Sequence, residues 1–174
     1  KGRKIIEVTT TYNSKFYRGK EDIKNPEFFT IFKRKVKGKK ILKAERRAKN
    51  VLIHLSRGQT IIVHMKLTGH FVYNRPDYPF TRLDLKLDNG KHLILSDMRK
   101  FAKVTLVETK VLEKSLHLVH LGPEPLEKNF QFKIFNLQIQ KRPKGRIKNV
   151  LMDQTLISGI GNIYSDEILW RAGV

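Results

Sequence analysis

Residues 81–97, TRLDLKLDNGKHLILSD, constrain the fold more than any other stretch. Leu83, Leu85 and Leu87 alternate with Asp84, Lys86 and Asp88, and Asn89-Gly90 then returns the chain into KHLILS. A period of two puts one residue set on an apolar face and the other in water, so this segment predicts an antiparallel hairpin. One half-apolar sheet cannot stand alone. It needs a second face to bury against, so the chain must supply further strands. Residues 5–12 (IIEVTTTY), 51–56 (VLIHLS), 60–66 (TIIVHMK) and 101–108 (FAKVTLVE) have strand composition, with Arg57-Gly58 as a turn between the second and third. One helix is predicted in this part, over 26–36, opened by Pro26 and closed near Gly38.

The texture changes after Glu108. Residues 121–129, LGPEPLEKN, carry two prolines and read as a connection into helices. Helices are predicted over 130–140, 146–157 and 162–173, the first despite a partly alternating pattern. Between the last two lies SGIG (158–161), too rich in glycine to continue a helix at low cost. Asn162 and Gly173 are candidate caps of the final helix. The fold class expected is α+β: an antiparallel β-sandwich over 1–118, a linker over 119–128 and a helical domain over 129–174.

Charge narrows the partner. The 174 residues hold 36 Lys+Arg against 16 Asp+Glu, a formal charge of +20. Ten bases and one acid crowd residues 33–49, and five bases fall within residues 141–148. Such density repels itself, and a polyanion is the partner that best accounts for it. Neither cluster sits on a broad amphipathic helix, and no apolar run reaches membrane-spanning length, so a membrane partner is not expected. The absence of Cys removes disulfides, thiolate nucleophiles and Cys-ligated metal from these residues. The six histidines show no metal-ligand spacing, so no metal site is expected among them.

Residues 153–174, DQTLISGIGNIYSDEILWRAGV, resemble the helix–two-turn–helix element of bacterial formamidopyrimidine-DNA glycosylases and their endonuclease-VIII-like relatives. Four further blocks agree in order: RRAKNVLIHL (46–55), HMKLTG (64–69), DMRKF (97–101) and LGPEPL (121–126). The resemblance implies a β-sandwich, a helical domain with a helix–two-turn–helix element, and damaged duplex DNA held in a cleft between them. It implies a base-excision-repair enzyme that flips out and removes 8-oxoguanine and ring-opened purines, then cleaves the strand by β,δ-elimination through a Schiff base. A cytoplasmic bacterial monomer is expected.

The resemblance also implies roles. Lys49, His64, Lys148 and Asn162 match positions that contact the DNA backbone. Taken alone, Lys49 reads as a solvated lysine at a strand start, His64 as a structural histidine and Asn162 as a helix cap. Arg99 and Phe101 match the family's D-x-R-x-F loop, and Leu67 stands where the family has methionine. These three would fill the void left by an extruded base, with Arg99 facing the orphaned partner base. Phe101 could instead enter the core as the first residue of its strand. Lys100 and Ala102 depart from the usual Arg and Gly. Asp153 reads as a turn or cap residue.

In the family the nucleophile is an amino-terminal proline followed by a catalytic glutamate, and a zinc finger closes the chain. Lys1 resembles the strand after that leading segment, with roughly 17 residues missing by family comparison. No catalytic residue is therefore assigned within these 174, and the one structural zinc is expected only in the full-length protein. The piece alone is expected to be inactive. The competing expectation is a non-catalytic DNA-binding or architectural module, which the sequence upstream of Lys1 would distinguish.

Overall fold

A computed structural model describes all 174 residues and divides them into two compact units. The first comprises residues 1–46 and 50–113; the second comprises 47–49 and 114–174.

Unit 1 is a sandwich of two four-stranded antiparallel sheets. One has the order β1 (Ile5–Thr10), β6 (Thr81–Leu87), β7 (His92–Ser96), β5 (His70–Tyr73). The other has the order β2 (Ile41–Arg47), β3 (Asn50–Leu55), β4 (Gln59–His64), β8 (Lys103–Glu108). The alternation in residues 83–87 does what the pattern demands: Leu83, Leu85 and Leu87 enter the core beside Ile53, Leu55, Ile61 and Val63 of the opposite sheet. The β6–β7 register pairs Leu85 with Leu93 and Leu83 with Leu95. Its turn is a three-residue connection. Leu87 N–H donates to Lys91 O, and only Gly90 (φ 75°) takes the left-handed conformation.

Helix α1 (Pro26–Val36) closes one side of the core with Phe32 and Val36. Asn25 caps it by accepting from Glu27 N–H, and Pro26 occupies the first turn, where its missing donor costs nothing. Two strands were not expected from sequence. β2 buries one end only and carries four charged residues in seven, while β5 is four residues long and half exposed.

Unit 2 contains α2 (Phe132–Ile139), α3 (Ile147–Met152) and α4 (Asn162–Ala172). Its core is small: Val150, Leu151, Leu156, Ile157 and Ile160, with Phe135, Ile139 and Leu169 against it. The helix expected over 146–157 stops at Met152. Asp153 Oδ1 accepts from both the N–H and hydroxyl of Thr155, and Gln154 Nε2 donates to the carbonyls of Met152 and Ile160. Gly159 N–H donates back to Gln154 Oε1. These bonds offer the backbone a turn in place of another helical turn. Asp153 thus takes the turn role expected of it, and its carboxyl is held below the usual range by the hydroxyl and backbone donors of Thr155. At α4 the cap is Gly161, and Asn162 is the first helical residue, which corrects the expected N-cap. Gly173, at φ 71°, ends the helix as expected. No helix in the chain is long and apolar enough to cross a membrane.

Candidate nucleic-acid interface

In unit 1 the expected site residues fall on two loops. The first follows β4. His64 ends the strand, and its Nδ1 accepts from Lys66 N–H, which leaves the neutral ring's proton on Nε2. Gly69 N–H then closes on Met65 O at 3.1 Å, and a Cβ at Gly69 would lie 2.5 Å from that oxygen. Only glycine fits the turn. Leu67 stands at its tip, 67% exposed.

The second loop joins β7 to β8. Asp97 is fully buried and accepts from the Thr68 hydroxyl and from Ala102 N–H at 2.7 Å. Arg99 N–H donates to the Thr68 hydroxyl oxygen, so one threonine and one aspartate tie the two loops together. Burial opposes ionisation of Asp97, but the Thr68 hydroxyl and the backbone donors of Ala102, Arg99 and Phe101 outweigh it and hold its carboxyl below the ordinary range.

The tie decides where Phe101 goes. Because Asp97 takes the Ala102 N–H, the strand begins only at Lys103, and Phe101 remains 48% exposed. The core position belongs to Ala102 instead. Arg99 lays its guanidinium 4.8 Å from the Phe101 ring centroid, a cation–π contact that stiffens both side chains. Met98, 55% exposed, projects from the same loop and was not anticipated. Leu67, Arg99 and Phe101 therefore share a pair of bonded loops, as a wedge would need.

In unit 2 a buried ion pair does the positioning. Glu124, 3% exposed, accepts from Arg47 Nη1 at 2.7 Å and from Ala48 N–H at 2.7 Å. Arg47 also donates to Ser158 Oγ and Gly122 O. The same carboxylate thereby holds the Ala48–Lys49 corner, where Ala48 sits at φ 50°, and fixes it to the turn before α4. The consequence is at Lys49. Its Nζ lies 3.5 Å from where a Cβ on Gly161 would stand, so an ammonium rests at the opening of α4. That helix has no side-chain cap, and its first N–H with a helical partner is that of Ser165. A cation beside a helix N-terminus with unused backbone donors is an arrangement that accepts an oxyanion. Lys148 lies on α3 and pairs with Asp166 of α4 at 2.6 Å. Asn162 is exposed at the first position of α4. Glu124, Asp97 and Gln154 were given no role from sequence; each sits within or beside a motif block, which was the only available signal.

No group of three or more His, Cys, Asp or Glu in the chain could hold a metal ion, and Cys is absent. These residues do not fit the zinc implied by the family.

A two-sheet sandwich joined to a helix–two-turn–helix unit, each carrying exposed cationic or apolar loop residues, defines a class of DNA-glycosylase architecture. Residues 1–104 match the family described as formamidopyrimidine-DNA glycosylase N-terminal domain, and residues 121–174 match its H2TH domain. The chain belongs to the formamidopyrimidine-DNA glycosylase family. The formamidopyrimidine-DNA glycosylase of Pelotomaculum thermopropionicum is 42% identical over 155 residues, covering 87% of this chain and 55% of that protein. That of Lactobacillus johnsonii is 34% identical over 177 residues, covering 100% of this chain and 60% of the relative. Among solved structures, the Lactococcus lactis enzyme in complex with abasic-site DNA superposes with a TM-score of 0.83 at 30% identity, over 99% of this chain and 61% of that one. A MutM complex with DNA containing carbocyclic 8-oxo-G gives 0.82 at 30% identity, over 99% of this chain and 63% of that one. The chain thus spans 55% to 63% of the length of these relatives.

Proposed function

We propose that the chain grips damaged duplex DNA within a base-excision-repair enzyme. The whole protein removes oxidised or ring-opened purines such as 8-oxoguanine and formamidopyrimidine, and cleaves the strand at the resulting site. The observation that carries the reading is the Lys49 ammonium at the uncapped start of α4, because two sequence-remote motif blocks meet there as one phosphate acceptor.

Lys49, His64, Lys148 and Asn162 hold backbone phosphates; Leu67, Arg99 and Phe101 enter the gap left by the flipped nucleotide. The residues of this chain bind, wedge and orient. The amine that attacks C1′ is assigned to the family's amino-terminal proline, and departure of the base leaves an iminium that serves as the electron sink for β,δ-elimination. A structural zinc belongs to the family's finger, outside the residues described. The setting proposed is the bacterial cytoplasm, and the working form a monomer.

The test is a salt titration of duplex binding. With about five phosphates contacted, log K falls against log salt with a slope near −4 to −5. A slope shallower than −1 would refute an extensive backbone footprint.

A further inference from the structure

Beside the β7–β8 loop, which contributes Lys100, unit 1 contains a cavity of about 270 Å³ that neither the wedge residues nor the phosphate-binding residues line. Thr11, Tyr12, Ser14, Tyr17, Lys24 and Lys100 are among its lining residues, and none of the lining residues is acidic. Lys24 is the unusual member. It is 3% exposed, yet its ammonium makes no ion pair, and its one side-chain hydrogen bond goes to Tyr17 Oη at 3.3 Å. The ring faces of Tyr17 and Tyr12 lie 4.8 and 5.4 Å from its nitrogen. Lysine is almost never this buried unless paired, because three donors and a full charge leave water together.

A second, independent feature points into the same space. The Tyr12 hydroxyl is buried without a hydrogen-bond partner, a state that normally costs free energy. Burial, with Asp97 and Asp22 nearby, pushes its ionisation far above the ordinary range, so it remains an O–H donor at any working pH. The surroundings are cationic as well. Burial and the ammonium groups of Lys103 and Lys24 lower the proton affinity of Lys66. Asp97 and Asp22 do not line the cavity, and each already accepts from backbone N–H groups.

We propose that this cavity binds a phosphate group. The Lys24 ammonium and Tyr12 hydroxyl donate from within, and the Lys100 ammonium closes the site from its exposed loop. A tetrahedral oxyanion supplies the missing counter-charge and the missing acceptor at once, and the volume leaves room for bridging water. The chemistry is shared by two sources, a DNA phosphate and free phosphate, and the experiment separates them.

The probe is inorganic phosphate, titrated into the 174-residue chain by calorimetry at constant ionic strength against chloride. Saturable binding is expected, weakened at least tenfold by Lys24→Met, several-fold by Tyr12→Phe, and unchanged by Lys35→Met on the exposed face of α1. Lys100→Met, on an exposed loop, is a second arm should Lys24→Met not fold; it too should weaken binding. The same variants are then compared for duplex DNA. A salt slope reduced by about one, with phosphate competing, assigns the cavity to a DNA phosphate. Unchanged DNA binding with phosphate affinity lost assigns it to free phosphate. No saturable signal above chloride, or equal affinity in wild type, Lys24→Met and Lys100→Met, overturns the proposal. Because phosphate is read without DNA, failure here is distinguishable from failure of the DNA-repair reading.

Discussion

The two units hold their candidate site residues by different means. In unit 1 the loops carrying Leu67, Arg99 and Phe101 spring from a sandwich whose core holds seventeen buried hydrophobic residues, and one buried aspartate ties them. The core cluster of unit 2 has five, while Phe132, Ile163, Tyr164 and Trp170 are each at least 69% exposed. With so little apolar burial, it relies on polar pins: Arg47–Glu124, the Gln154 clamp and the Asp153–Thr155 turn. A large core tolerates the loss of one loop bond. A small one does not, because each pin is a large share of its stability.

Glu124→Ala breaks the comparison most severely. It strands the Arg47 guanidinium and the Ala48 N–H in a buried setting, and removing one partner of such a pair costs about 3–5 kcal/mol. Hydrogen exchange should show unit 2 opening globally while the strands of unit 1 keep their protection. Equal loss of protection in both units would show that the pin is not local to unit 2.

Asp97→Ala should cost less, about 2–3 kcal/mol at neutral pH, because a hydroxyl and a backbone donor lose a charged acceptor. The folded carboxyl titrates below its ordinary value of about 3.9, so its stabilisation is present above that value and fades as pH falls through the folded one. Urea midpoints of wild type and variant should therefore converge below about pH 4. A gap that persists at pH 2 would place the effect in packing rather than in the carboxylate.

These pins are the part of the molecule least legible in the sequence. The strands around the hairpin and the long helices show themselves through periodicity, which is local. Glu124 matters only because Arg47 lies beside it, 77 positions away in sequence, and no local pattern reports that. The same reason explains Phe101. An apolar residue opening an apolar run looks like the start of a strand, but Asp97 takes the Ala102 N–H and delays the strand to Lys103. Strand β2 was hidden by its own edge position, since ILKAERR carries the charges that keep an edge from pairing with other chains. At Asn162 the residue type suits a cap, yet Gly161 takes that place beside the Lys49 ammonium.

Arg99→Ala and Lys49→Ala sharpen the comparison on the DNA side, where unit 1 is proposed to read, with His64 as its one backbone contact, and unit 2 to hold. A guanidinium that reads the orphaned base contributes about 1–3 kcal/mol of discrimination. Arg99→Ala in the whole protein should therefore compress the ranking of the four opposite bases. Uniform weakening with the ranking intact would count against Arg99 as the reader.

Lys49→Ala should have the smallest effect and the opposite signature. An ammonium at the start of α4 meets phosphate, and phosphate is the same on every nucleotide, so its removal cannot alter preference for lesion or opposite base. Affinity for intact and lesion-containing duplex should fall by the same factor, about 1 kcal/mol or less, with the salt slope shallower by about one. The helix N–H groups remain, so binding is reduced rather than abolished. Anisotropy titrations of both duplexes at several salt concentrations measure all three quantities together. If Lys49→Ala weakened only the lesion-containing complex and left the salt slope unchanged, Lys49 would belong with the readers, and the division of labour between the units would fail at that residue.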